Sequence, residues 1–507
     1  MDRVVTQDTA VRQGGGDRLP RHPAFRSVNT VLMLLVGVCH ERAAAQCSGM
    51  VSNPAEVSGC ASSAIPDGKV TAIDRQHQYS LAELIDIGER NHPATRVTWE
   101  RAKQQAKRLG IQKSEYFPVL AANALFADQR VAQPFPKPLS PSGYSVVDLP
   151  LVQPQIELQY LLFDFGGRKA RVDAAKAGAL AAGAQFIKTN QDVAFAISNS
   201  YYSLLTAQQR LLAARDTLKT AQTTQDAAEA RLANGRATLP DVLNARAETA
   251  QANFDLEEAD GQEKIARVTL TEAIGVEPSP DISIDGQGSA PLPNALALTI
   301  EELIERALAD RPDLVAQMQE IRKAEDEIRN VDSAYKPKVT LSANVAQTAA
   351  WPAAVRPPAQ FGTIYTPTWA GAVNVEWTIF DGGARRNRRE LAESSKRQAI
   401  EELREKRDQA QREVWSSYIA FRTALRQEEA AVALLSATET SYSASLDAYK
   451  YGVKNLVDVV TAEKQLALAR LSSVSARSRV FAEAVRLEWV TGNLLRNRSS
   501  ATTTQGK

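Results

Sequence analysis

The chain carries one long unit twice, and any fold must house both copies in a common register. Residues 156–168, with the junction Phe163-Asp164-Phe165-Gly166-Gly167, recur as 373–385 with Ile379-Phe380-Asp381-Gly382-Gly383. Asp164 and Asp381 are 217 residues apart, as are Gly235 and Gly452, Asp241 and Asp458, and Gly275 and Gly492. Upstream the spacing is 219, from His92-Pro93 to Arg311-Pro312 and from Pro118 to Pro337, so a two-residue length change lies in between. Such self-similarity marks two copies of one supersecondary unit rather than two unrelated domains.

Each unit opens with a helix. Ser80 precedes Leu81, Leu84, Ile85 and Ile87 at helical spacing, and Thr299 with Glu302 forms a capping box before Leu303, Ile304, Ala307 and Leu308. Helical character resumes after His92-Pro93 and continues to about Tyr116, until Pro118 (Pro337 in copy two) stops it by removing a backbone donor. The period then changes to two. Ile156, Leu158, Tyr160 and Leu162 alternate in copy one; Val339, Leu341, Ala343 and Val345, then Val373, Val375, Trp377 and Ile379, alternate in copy two. Two strands per copy around a loop rich in Pro and Gly predict a hairpin. The alternation fits a transmembrane β-strand and equally a half-buried strand of a soluble sandwich.

Beyond the turn at Asp164-Phe165-Gly166-Gly167, residues 167–234 contain no proline and predict one helix of roughly 100 Å. Leu204, Leu211, Leu218 and Leu232 share a heptad position, with Ala207, Ala214, Ala221 and Ala228 three residues later. That is a coiled-coil seam. Gly235 and Gly452 turn the chain back, Thr238 and Asn455 cap the returning helices, and Asp241 and Asp458 sit at their positive ends. The expected organisation is residues 80–275 as repeat one, 276–298 as a linker, 299–493 as repeat two and 494–507 as a disordered tail.

Aromatic residues make up 6% of the chain and the net charge is +1, so no global field favours nucleic acid. Residues 28–38 form an apolar run with Arg12, Arg18, Arg21 and Arg26 before it and Ala43-Ala44-Ala45 after it, which predicts an export signal over 1–45 and an N-terminal extension over 46–79. Cys47 and Cys60 would then remain, either as a disulfide or with Cys47 lipidated, although Gln46 and Ala44 depart from a lipobox. The histidines are scattered at 22, 40, 77 and 92, and no nucleotide loop or metal-ligand spacing is present. Neither catalysis nor a cofactor is expected.

Four strands cannot close a barrel, and lipid does not tolerate open edges, so a membrane reading requires a ring; three copies would supply twelve strands. The duplicated Phe-Asp-Gly-Gly junction (with Phe165 between Asp164 and Gly166 in copy one), the duplicated Gly-x-x-x-Leu-x-Asp-Val tip and the paired His92-Pro93 and Arg311-Pro312 breaks resemble the TolC family of outer-membrane efflux proteins, from about Ser80 to Asn493. The resemblance implies an α+β membrane protein, a homotrimer whose twelve-stranded outer-membrane β-barrel continues into a periplasmic α-helical coiled-coil barrel. It further implies an exit duct for a periplasmic adaptor (membrane fusion) protein and an inner-membrane pump of RND or ABC type. Cargo would be small toxic compounds or, as in type I secretion, polypeptides. A periplasmic coiled-coil scaffold that never enters lipid is the competing class.

By resemblance, the helical tips hold the periplasmic gate. Asp241, Arg246, Tyr449, Lys454 and Asp458 are its candidates, with Lys454 joining Asp241 or Tyr449 and Asp458 repeated around the pore. Thr461 stands where a second acidic residue is often found. Gly235, Arg236, Gly452 and Val453 are candidate adaptor contacts. Asp164, Gly166, Gly167, Asp381, Gly382 and Gly383 shape the strand-to-helix junctions, and Arg385, Arg386, Arg388 and Arg389 form a basic collar below the barrel, solvated or facing lipid headgroups.

Overall fold

The computed structural model describes residues 74, 76–134, 143–285, 299–356, 358–360 and 362–494. The signal over 1–45, Cys47 and Cys60 lie outside these residues. In chain order the elements are β1 (Gln78–Tyr79), α1 (Leu81–Asn91), α2 (Pro93–Ser114), β2 (Val119–Pro134), β3 (Tyr144–Phe163), α3 (Gly167–Ala233) and α4 (Leu239–Ile274). There follow β4 (Ser283–Ile284), α5 (Ile300–Asp310), α6 (Pro312–Ser333), β5 (Lys338–Ala350), β6 (Ala353–Arg356), β7 (Pro358–Gln360), β8 (Ile364–Glu376), α7 (Ala384–Lys450) and α8 (Leu456–Val490). Helices α3 and α7 each have 67 residues, which is about 100 Å at 1.5 Å per residue.

Local chemistry explains the boundaries. Ser80 and Thr299 both make full capping boxes, with Glu83 and Glu302 reaching back to the cap nitrogens. Pro93 and Pro312 occupy first-turn positions, where their missing N–H costs nothing. Helix α4 ends at Gly275 with φ 79°, and a Cβ there would lie 2.8 Å from the backbone of His92. The returning helix thus abuts the start of α2, so α2 and α4 stand nearly end to end along α3. Gly492, with φ 76°, meets Asp310 in the same way in copy two.

The helices form one layer whose neighbours change halfway along. Near the sheet the order is α2, α3, α6, α7; toward the tips it is α4, α3, α8, α7. One edge therefore belongs wholly to copy one and the other to copy two. Buried side chains gather along the seams. Leu84, Ile197, Leu204, Leu270, Ile282 and Ile284 form one cluster, Ile300, Leu303, Val414, Phe421 and Val480 a second, and Ala228, Val242, Leu446, Tyr449 and Val459 a third at the tips. The heptad residues Leu204, Leu211, Ala207, Ala221 and Ala228 are all buried.

Some expectations need correction. The stretch read as a linker contains β4, which pairs in parallel with β1 and carries Ile282 and Ile284 into the core. Leu494, assigned to the tail, is buried in that core as well. Helix α1 packs across α3 and α4, because its apolar face of Leu84 and Ile85 finds its cover there. Trp377 and Ile379 lie beyond the end of β8. That strand has one long neighbour, β5, whose first residue Lys338 pairs with Glu376 and leaves no partner strand for the residues that follow.

Candidate functional site: sheet face, junctions and helical tips

The four long strands run in the order β2, β3, β5, β8, all antiparallel. Their register sorts side chains by face. Ala122, Ile156, Val345 and Trp369 form one row across the sheet, and Leu120, Leu158, Ala343 and Gly371 another. On the opposite face Asn123, Gln155, Ala346 and Thr368 align, and so do Ala121, Glu157, Asn344 and Ala370. One face is apolar and the other polar. Trp369 is 82% exposed on the apolar face, and Leu120, Phe126, Val345 and Val373 are exposed there too. A soluble sandwich would bury such a surface.

Below the sheet each strand-to-helix junction is tied by an arginine. Arg168 donates to the carbonyls of Leu161 (2.9 Å) and Glu115 (3.0 Å), and Arg385 to those of Ile379 (3.1 Å) and Ala334 (3.4 Å). The aspartates do cap the long helices, though not as N-cap residues. Gly166 (φ 93°) and Gly383 (φ 87°) hold that position, and the carboxylates of Asp164 and Asp381, two residues earlier, accept from the backbone N–H of Arg168 and Arg385. Gly382 has φ 67°, and its counterpart Phe165 takes φ 52° despite its Cβ. Gly167 fits under Asp164, whose Oδ2 would lie 2.9 Å from an added Cβ. In the basic collar Arg385, Arg386 and Arg389 are ion-paired with Asp381, Glu390 and Asp332.

At the tips the structure assigns partners that differ from those expected. Lys454 reaches neither Asp241 nor Tyr449; its Nζ lies 3.1 Å from Ser445 Oγ in its own hairpin. Asp241 accepts from the Thr238 backbone N–H (3.0 Å) and hydroxyl (2.7 Å), and the backbone bond is the main reason its carboxyl is held below the usual value. Arg246 pairs with Glu229 at 2.9 Å, again within one hairpin, and Asp458 is exposed beside its cap Asn455. Gly235 (φ 68°) and Gly452 (φ 82°) make the tight turns, with Arg236 and Val453 exposed next to them.

At the turns themselves, Arg231 joins the two hairpins. Its guanidinium lies 4.5 Å from the centre of the Tyr449 ring, donates through Nη1 to the Tyr449 carbonyl, and donates through Nη2 to the Arg236 carbonyl at 3.1 Å. Tyr449 is 3% exposed, and its hydroxyl has no hydrogen-bond partner. Comparing the copies could have found this clasp, since the counterparts of Arg231 and Tyr449 are Ala448 and Leu232. Further along the same seam, Thr224 donates to buried Glu463 (2.8 Å) and lies 3.2 Å from the Tyr442 hydroxyl, joining α3, α7 and α8.

Known proteins share this organisation. The family described as outer membrane efflux protein matches residues 84–276 and again 303–493. The chain is 26% identical over 473 residues to the outer membrane protein OprJ of Pseudomonas aeruginosa, covering 90% of this chain and 94% of that one. It is 25% identical over 428 residues to the protein CyaE of Bordetella pertussis, covering 84% and 86% respectively. A crystal structure of a membrane protein from Pseudomonas aeruginosa superposes with a TM-score of 0.70 at 25% identity, over 81% of this chain and 93% of that one. The chain belongs to the outer membrane efflux protein family, the outer-membrane exit ducts of export systems, and its long helices form the large periplasmic part.

Proposed function

We propose that three copies of the chain close into a tunnel that receives cargo from a periplasmic adaptor and an inner-membrane pump. The observation that carries this reading is the pair of unmatched edges. Strand β2 with helices α2 and α4 forms one edge and β8 with α7 the other, and the sheet between them is apolar on one face only. A head-to-tail contact of unlike edges closes a ring when the rotation permits, and closure satisfies strand edges that lipid cannot. The polar face, with Asn123, Gln155, Glu157 and Asn344, then lines the lumen.

The helical tips form the periplasmic aperture, kept shut in each chain by the Arg231 clasp, with Asp458 repeated around the axis. Gly235, Arg236, Gly452 and Val453 are the surface offered to the adaptor. Cargo is a small toxic compound or an exported polypeptide. Light scattering in detergent and conductance in planar bilayers test the tunnel: a trimer with ion-conducting steps is expected. A particle that stays soluble and monodisperse without detergent would instead make the protein a periplasmic scaffold. Deleting the gene and comparing resistance to a compound panel with secretion of proteins separates the two cargo classes.

A further inference from the structure

The internal repeat specifies more than the existence of a ring. Within the chain, β2·β3 and β5·β8 are copies of one hairpin, and their registers coincide under the sequence offsets. Shifting β2 by 219 and β3 by 217 turns Leu120↔Leu158 into Val339↔Val375 and Ala122↔Ile156 into Leu341↔Val373, and both of these pairs are observed. The junction between the copies, β3·β5, therefore has one remaining image, in which β8 takes the place of β3 and β2 takes the place of β5. Those strands lie on opposite edges of the sheet, separated by β3 and β5, or about 14 Å at ~4.8 Å per strand. The image can form only with a second copy.

We infer that β8 of one chain pairs antiparallel with β2 of the next in the register Val373↔Phe126, an inference that rests on the ring reading above. It is the image of Ile156↔Val345, and Gln159↔Ser342 and Glu157↔Asn344 give Glu376↔Asn123 and Asn374↔Leu125. Faces agree throughout: Val373 and Phe126 both lie on the apolar side, and Glu376 and Asn123 both on the polar side. A one-residue slip would set apolar against polar faces along the whole seam. The same image carries Leu161↔Thr340 to Thr378↔Ala121 and Phe163↔Val339 to Phe380↔Leu120. Segment 377–380, where Trp377, Ile379 and Phe380 are 60%, 80% and 84% exposed, becomes strand in the assembly.

Disulfide trapping in the full-length protein in outer membranes tests the register. Directly opposed residues have Cα atoms about 4.5–5.5 Å apart, within disulfide reach, whereas partners displaced by two residues are about 7–8 Å apart. Val373→Cys with Phe126→Cys should give a covalent trimer on a non-reducing gel, and each single variant should give none. Asn374→Cys with Leu125→Cys should do so from the polar face, which guards against one pair failing to assemble. Val373→Cys with Ala124→Cys should cross-link at least tenfold less. If a displaced pair links better than the aligned one, the register is wrong while the ring stands. If the parent protein is not trimeric in detergent, the ring fails and takes this seam with it.

Discussion

Replacing Arg231 with alanine is the sharpest test of how the tips are held. The side chain makes three contacts: a stack on Tyr449, a bond to the Tyr449 carbonyl across the hairpins, and a bond to the Arg236 carbonyl within its own hairpin. A partly exposed cation–π contact contributes about 1 kcal/mol, and a hydrogen bond from a charged donor about 1.5 kcal/mol, less where water competes. The interaction between hairpins is then about 2–3 kcal/mol per chain, or roughly 30- to 150-fold in the balance between clasped and released tips. Arg231→Ala should raise open probability in planar bilayers by about that order and leave the trimer intact. Tyr449→Phe is the control. Its hydroxyl is buried without a partner, so its removal keeps the stack and should leave conductance unchanged. Wild-type conductance in Arg231→Ala, or an Arg231→Ala phenotype in Tyr449→Phe, would refute the clasp.

Burial pushes the Glu463 carboxyl above its ordinary value near 4.5, with Glu248 adding to the effect and Thr224, Lys464 and Arg470 opposing it. Because the folded state holds the proton more tightly than the unfolded chain, this group's contribution is fully present below about 4.5 and is lost as pH rises through the folded value. Glu463→Gln should therefore melt higher than the parent at pH 8 and lack that part of the pH dependence; a lower melting temperature at pH 8 would count against it. Gly275→Ala forces a Cβ into φ 79° and to 2.8 Å from His92, so a loss of about 2–4 kcal/mol, read by thermal or denaturant unfolding, is expected.

Much of the architecture was legible because it rests on local chemistry. Capping residues at Ser80, Thr299, Thr238 and Asn455, the proline breaks, and the turn glycines at 235 and 452 all act within a few residues of themselves, so a linear reading finds them. The clasp was not read directly, because Arg231 and Tyr449 meet across 218 positions; the one sequence signal was the difference between copies, whose counterparts are Ala448 and Leu232. The expected Lys454 bridge failed for a related reason: a flexible lysine takes the nearest acceptor, here Ser445.

Taken alone, the sequence determined the period of the unit, the alternation of each strand and the length of each helix, since these follow from steric and hydrogen-bonding rules that operate along the chain. Only the tertiary structure decided which strands are neighbours, that copy one and copy two each own one edge, and that β1 and β4 seal the core between the repeats. Those choices depend on burying faces contributed by residues hundreds of positions apart. The duplication written in the chain becomes, once folded, two unlike edges that each lack a partner strand.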